Sequence, residues 1–267
     1  MRKIGLFLKK LLPERFYIKL LHLYGFFNFF FCFGSKYKCI LCGKSSRKLL
    51  PTGINNEVAL NLIGGGYRLT LCPFCFSADR ERLVYYYLKN KTDIFKSERR
   101  SKLLHIAPGE SLKKALKSYS SVDYISGDIK SSLADIEIDI TDIRFDDNRF
   151  DVIICNHVLE HVTDDKQAIS ELFRVLKPGG FAILQVPISK KHTETFEDFS
   201  ITSPEGREKH FGQKDHLRVY GKDYKERLEN IGFEVELYDI KKDLSLEEIK
   251  KYGLNIEEIL YIGHKIH

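Results

Sequence analysis

Four cysteines in two C-x-x-C pairs carry the most definite chemistry in this chain: Cys39 and Cys42 in CILCGK, and Cys72 and Cys75 in CPFCFS. Two such knuckles can present four soft thiolates tetrahedrally to Zn²⁺ and so close a small fold that lacks a core of its own. The 29 residues between the pairs exceed the usual ribbon spacing, and reduced structural thiols or a redox pair are the alternatives. Cys32, in an aromatic run, and Cys155, in an apolar run, read as core residues. Six cysteines in 267 residues are too few for a disulfide scaffold, which points to a reducing compartment, and the chain is expected in the cytoplasm.

A second group of residues falls at the ends of short apolar runs. HIAPGES contributes His105, Ala107, Gly109 and Ser111, and ISGDI contributes Asp128, about twenty residues past the glycine, where an acid can accept both hydroxyls of a ribose. IDITD adds Asp139 and Asp142, and CNHVLEH adds Asn156, His157, Glu160 and His161. Parallel sheets bind ligands at the carboxyl ends of their strands, so these residues would ring one cleft. Taken singly, an Asp after a strand also serves as a cap or turn former, and a His serves as a surface residue. Farther on, HFGQKDHLRVYGKDY concentrates His210, Gln213, Asp215, His216, Arg218 and Tyr220. Such a loop can orient or deprotonate an acceptor hydroxyl or amine, or it can be solvated and tied down by local ion pairs. The glycines at 64–66 are followed by no Lys-Ser or Lys-Thr and open no helix pattern, so they read as a turn and not a phosphate loop.

These groups need elements to position them. From residue 101 the runs LLHIA, VDYIS, IEIDI, FDVIIC, FAILQVPI, FEVELYDI and ILYIGHKI alternate with helical patterns near 110–118, 165–176 and 223–231. That alternation predicts an α/β fold, a parallel sheet covered by helices on both faces. DRERLVYYYLKN, with an acidic start and helical spacing, predicts a connecting helix over 79–90. The organisation is an N-terminal segment over 1–35, a four-cysteine ribbon-like module over 36–78, a connection over 79–100 and a larger domain over 101–267.

Residues 139–187 resemble the core of the class I S-adenosylmethionine-dependent methyltransferases, in particular the type 11 methyltransferase domain. An acid-led loop, an FD strand, an LEH segment and RVLKPGG follow in that family's order. The resemblance extends over roughly 101–267 and implies a Rossmann-like sheet of seven strands, six parallel, with ILYIGHKI inserted in reverse. It implies S-adenosyl-L-methionine as methyl donor, with Gly109 in the loop beside its amino-acid part, Asp128 at the ribose, Asp139 and Ile140 at the adenine, and Asn156 and His157 at the methionine end. His105 replaces the family's usual acid, and Ala107 and Ser111 replace glycines. Ala and Ser can still let the backbone approach a ligand if they need no positive φ. A neutral His105 can accept a hydrogen bond in the cofactor site. LLHIAP also resembles a subset of these enzymes with a cysteine-rich front module. The implied reaction moves a methyl group to an oxygen or nitrogen acceptor, with His157, His161 and His216 as candidate bases.

Net charge is +6, but the first 100 residues carry 19 Lys and Arg against 6 Asp and Glu, and the remainder 24 against 31. The basic front fits an anionic partner, RNA or a membrane surface, or it is simply a solvated face. In the first 35 residues Lys9, Lys10, Glu14, Arg15 and Lys19 interrupt the apolar pattern, and the run Leu23–Phe33 is too short to span a bilayer. An amphipathic aromatic helix, peripheral to a membrane or packed on the protein's own body, is expected there, and no transmembrane helix. The acceptor classes left open are a saccharide or lipid-linked molecule and RNA, and a non-catalytic cofactor-binding scaffold is the reading from outside enzymology.

Overall fold

The computed structural model describes residues 31–130 and 133–267; the expected amphipathic segment lies, apart from its last residues, outside them. Among the described residues no helix is long and apolar enough to cross a membrane.

The front module consists of two antiparallel ribbons. Strand β1 (Phe33–Lys38) pairs with β2 (Ser45–Ser46), and β3 (Leu50–Thr52) pairs with β4 (Arg68–Leu71), with a short helix α1 (Glu57–Asn61) between β3 and β4. Each cysteine pair follows one ribbon strand, β1 or β4. Helix α2 (Asp79–Lys91) then leads to the sheet.

The strands of the large sheet are β5 (Ser101–Ile106), β6 (Val122–Asp128), β7 (Ile136–Glu137), β8 (Phe150–Cys155), β9 (Leu176–Ile183), β12 (Glu234–Asp239) and β13 (Ile259–His264). Their order is β12-β13-β9-β8-β5-β6-β7. β13 pairs antiparallel with both β12 and β9, and every other pairing is parallel, so ILYIGHKI is the reversed strand. β5 and β8 are buried almost throughout, as strands covered on both faces must be. IEIDI forms only two residues of strand at the sheet's edge.

Helix α3 (Glu110–Lys117) turns Leu112 and Leu116 to the face that α2 covers with Leu83, Val84 and Leu88. Helix α4 (Asp165–Val175), capped by Asp164 on the Gln167 amide, buries Ala168, Ile169 and Leu172 on the opposite face beside α6 (Tyr224–Glu229). The polar segment after β9 contributes a small ribbon, β10 (Phe196–Glu197) with β11 (Arg218–Val219), and helix α5 (Pro204–Phe211). Helix α7 (Leu246–Tyr252) precedes β13.

Arg82 of α2 joins module to sheet. It is 1% exposed and donates to the carbonyls of Ser77, Thr70, Tyr252 and Gly253, tying the second knuckle, β4 and the end of α7 to one side chain.

Candidate functional site

The four cysteines converge. Cys39 Sγ lies 3.7 Å from Cys75 Sγ, Cys42 Sγ lies 3.8 Å from Cys72 Sγ, and all four are free thiols. A tetrahedron with zinc–sulfur bonds of about 2.3 Å has sulfur–sulfur edges of about 3.8 Å, so the spacing fits one zinc ion. Ser77 Oγ stands 3.4 Å from Cys39 Sγ and 3.2 Å from Cys75 Sγ, where a hydroxyl can support thiolate charge. Hydrogen bonding from Cys42, Cys72 and Cys75 draws the Cys39 thiol down, and the bond to Cys39 pushes the other three up. Four thiols alone therefore hold little negative charge together, whereas a cation would favour ionising all of them.

The turn after β5 rests against this cluster. Ser111 donates to the Cys75 carbonyl, so the hydroxyl at the family's third glycine position fastens the loop to the second knuckle. Gly109 has φ −72 and needs no special backbone; a Cβ there would come 2.3 Å from Glu81 Oε1 of α2. Glu81 Oε2 accepts from the Ala78 amide, Oε1 is buried without a partner, and burial raises this carboxyl above its usual range. Ala107 takes φ 47, the left-handed region, so the condition that the glycine replacements need no positive φ is not met at the alanine, and the strained position is the alanine and not the glycine.

His105 sits in β5 at 3% exposure with Nδ1 2.9 Å from Tyr124 Oη, ring edge against ring face. Burial and then the charge of Lys113 lower its pKa to about 3, so the ring is neutral in any ordinary buffer. It is not among the residues that line the cavity described next.

A cavity of about 550 Å³ opens at the carboxyl ends of β5 and β6 and beside the segment after β8. Ala107, Asp128, Asp139 and Ile140 line it, along with Val158, His161 and Asp164, whereas Gly109, Asn156, His157 and His216 do not. Asp128 Oδ1 accepts from the Lys130 amide 2.7 Å away. Asp139 is exposed and accepts from the amide and hydroxyl of Thr141, which lowers its pKa.

The segment after β8 departs from a regular helix. His157 has φ 56, its amide donates to the Gln185 carbonyl 2.7 Å away, and Leu159–His161 form one 3₁₀ turn. Asn156 Oδ1, His157 Nε2, Glu160 Oε2 and His216 Nε2 are buried with no partner. Glu160 Oε1 lies 3.5 Å from His157 Nδ1. Burial works to raise the Glu160 carboxyl, but the bond to His157, aided by His161 and His216, outweighs it and holds the group below its ordinary range.

The loop rich in His, Asp and Arg closes on this turn. The Leu217 amide donates to the Glu160 carbonyl at 2.9 Å, and the His216 ring meets the His161 ring edge to face at 4.7 Å. Arg218, 1% exposed, donates to Glu197 and to the Leu159 and Thr163 carbonyls, and Tyr220 donates to buried Asp165, which also pairs with Arg227. Arg218 and Tyr220 are thus committed to the buried framework, while His216 is brought to the site.

Residues 105–184 match a family described as methyltransferase domain. The chain is 30% identical over 133 residues to the chloroplastic 2-phytyl-1,4-beta-naphthoquinone methyltransferase of Arabidopsis thaliana, covering 49% of this chain and 46% of that protein. A ubiquinone/menaquinone biosynthesis C-methyltransferase of Idiomarina loihiensis is 35% identical over 69 residues, 25% of this chain and 28% of the relative. The chain therefore spans less than half the length of these curated relatives. A solved S-adenosylmethionine-dependent methyltransferase from Archaeoglobus fulgidus is 17% identical with a TM-score of 0.43, covering 68% of this chain and 93% of that one.

The matched segment begins at β5 and ends just past β9, so it takes in the loop, Asp128, Asp139 and the turn after β8. It excludes the cysteine module and His216. Sequence reasoning did not single out Glu81, whose only local signal is the N3 place in a capping box on a helix that reads as a connector. Glu160, quoted within LEH, was not given a role either, because a buried acid cannot be told from a solvated one by spacing.

Proposed function

We propose that this protein binds S-adenosyl-L-methionine and transfers its methyl group to an acceptor. The observation that carries the reading is the cavity at the ends of β5 and β6, lined by Ala107, Asp128, Asp139 and Ile140, inside the segment that matches a methyltransferase domain. In this reading Asp128 accepts from the ribose hydroxyls, and Asp139 and Ile140 flank the adenine. The Ala107–Gly109 backbone holds the amino-acid end, with Asn156 Oδ1 as an available acceptor beside it. The sulfonium is an activated donor, so the protein's task is to align acceptor and methyl and to exclude water. Of the candidate bases His157, His161 and His216, His161 is the one that lines this cavity, where it can receive a proton from an oxygen or nitrogen acceptor. The relative named as a C-methyltransferase adds carbon to the acceptors worth testing. One zinc ion on Cys39, Cys42, Cys72 and Cys75 belongs to the same reading as a structural group.

The basic first 100 residues favour a second reading, RNA as acceptor, for which binding should weaken steeply with salt. Calorimetry with S-adenosylmethionine and its demethylated product tests the main reading. Asp128→Ala should weaken binding by about 1–3 kcal/mol through lost charge-assisted hydrogen bonds. Unchanged affinity removes Asp128 from the site, and no binding in the wild type favours a scaffold.

A further inference from the structure

Glu160, His161 and His216 each offer a ligand atom within 4.8 Å of the other two. Glu160 and His216 are each 2% exposed, and Glu160 Oε2 and His216 Nε2 are buried without any hydrogen-bond partner. Leaving a buried polar atom unpaired costs stability, so two in one cluster call for an occupant.

Both imidazoles are held from behind. His216 Nδ1 lies 3.1 Å from the Phe211 carbonyl, which can only accept, so the proton is on Nδ1 and Nε2 presents its lone pair. His161 Nδ1 lies 3.3 Å from the Asp215 carbonyl and 3.4 Å from its carboxylate. Carbonyl or carboxylate support at one ring nitrogen, with the other left as a donor to a cation, is how metal-binding histidines are oriented. The 2.9 Å bond from the Leu217 amide to the Glu160 carbonyl fixes the two halves of the cluster to each other.

We propose that Glu160, His161 and His216 bind one divalent transition-metal ion of the zinc class. Two imidazoles and one carboxylate suit such an ion, whereas Mg²⁺ and Ca²⁺ prefer oxygen throughout. Three protein ligands leave a position open, and His161 lines the cavity at the ends of β5 and β6, so that position is reached from it. There the ion takes an oxygen donor, a hydroxyl of the methyl acceptor. Coordination acidifies the hydroxyl, its proton passes to solvent, the oxygen lone pair forms the bond to the methyl carbon, and the carbon–sulfur pair stays on sulfur. With the ion bound, His161 and His216 are its ligands and no longer bases, so this route replaces the base role given to them above. The acceptor role rests on the methyl-transfer reading; the binding of the ion does not.

The test uses full-length protein as purified, dialysed against Co²⁺ without denaturant, with total bound metal measured by elemental analysis and visible spectra recorded. Wild type should hold about one equivalent more than His161→Ala, a change at a partly exposed side chain. The spectrum of that extra equivalent should lack thiolate-to-cobalt charge transfer, unlike cobalt on cysteines. Glu160→Gln should lose the same equivalent and keep wild-type circular dichroism. Equal metal content in wild type and folded His161→Ala overturns the site and leaves a plain ring contact between His161 and His216. An extra equivalent in a protein that binds no S-adenosylmethionine keeps the metal site and removes only its acceptor role.

Discussion

Two strand ends meet at the cavity and are built differently. The turn after β5 is a packed junction: Ser111 is bonded to the Cys75 carbonyl, Gly109 lies under Glu81, and His105 is sealed against Tyr124. The turn after β8 is a polar pocket, where Asn156, His157, Glu160 and nearby His216 keep buried atoms without partners. Substitutions in the first turn are answered by contacts inside the protein, whereas the atoms of the second are left for something the protein binds. The serine in place of a glycine therefore reads as accommodation to the cysteine module.

The sharpest way to break that contrast is to remove the module's metal. If the cluster holds zinc, chelation or Cys72→Ser should release residues 31–78 to limited proteolysis and weaken S-adenosylmethionine binding at least tenfold, because Ser111 and Gly109 lose their backing. Proteolysis followed by mass spectrometry, with calorimetry on the same sample, measures both. A module that opens while affinity holds would mean that the two regions are independent.

The sheet was legible because its signals are local and repeated: apolar runs at strand length, helices of amphipathic spacing, and an order of elements that α/β folds share. All seven expected strands appear, with the reversed one in place. The convergence of the two C-x-x-C pairs was also legible, since thiols at that spacing have few other uses. What the sequence hid is contact across elements. Nothing near Ser111 says that its hydroxyl meets Cys75, and nothing near Glu81 says that a helix read as a connector presses a carboxylate on Gly109. His105 was expected to face the cofactor because it occupies the acid's place in the motif, but Tyr124 lies within hydrogen-bond reach of it from the neighbouring strand. Whether Ala107 needs positive φ was left open by its residue type, and the turn imposes it.

His105 supplies the next test, on stability. Its folded pKa of about 3 lies below the ordinary value of about 6.5. Above the ordinary value the ring is neutral in both states and contributes no pH dependence. As pH falls toward 3 the unfolded chain takes up a proton that the folded one refuses, and stability drops by about 1.4 kcal/mol per pH unit. At pH 5 the loss is about 2 kcal/mol. His105→Asn keeps a polar partner for Tyr124 and should remove this part of the difference between urea midpoints at pH 7 and pH 5. A difference as large as the wild type's would show that the ring is reached by water. S-adenosylmethionine affinity should show no step from this residue between about pH 5.5 and 8.

The smallest effect tests the backbone of the same turn. Ala107 is exposed at φ 47, and its amide donates to the Gly127 carbonyl at 2.8 Å, so the conformation is held by the sheet and not by the methyl group. The left-handed region costs an alanine about 1–2 kcal/mol, and a glycine there avoids that cost but loses about 0.5–1 kcal/mol through the freedom of its unfolded chain. Ala107→Gly should therefore raise stability by about 0.5–1 kcal/mol, read as a higher urea midpoint at unchanged slope. Ala107 also lines the cavity, so the same variant separates two roles. If the backbone alone meets the cofactor, affinity for S-adenosylmethionine stays within twofold; if the methyl packs on it, affinity falls while stability still rises. A lower midpoint would mean that the turn relaxes to negative φ in solution, and the turn after β5 would then lose its standing as the rigid member of the pair.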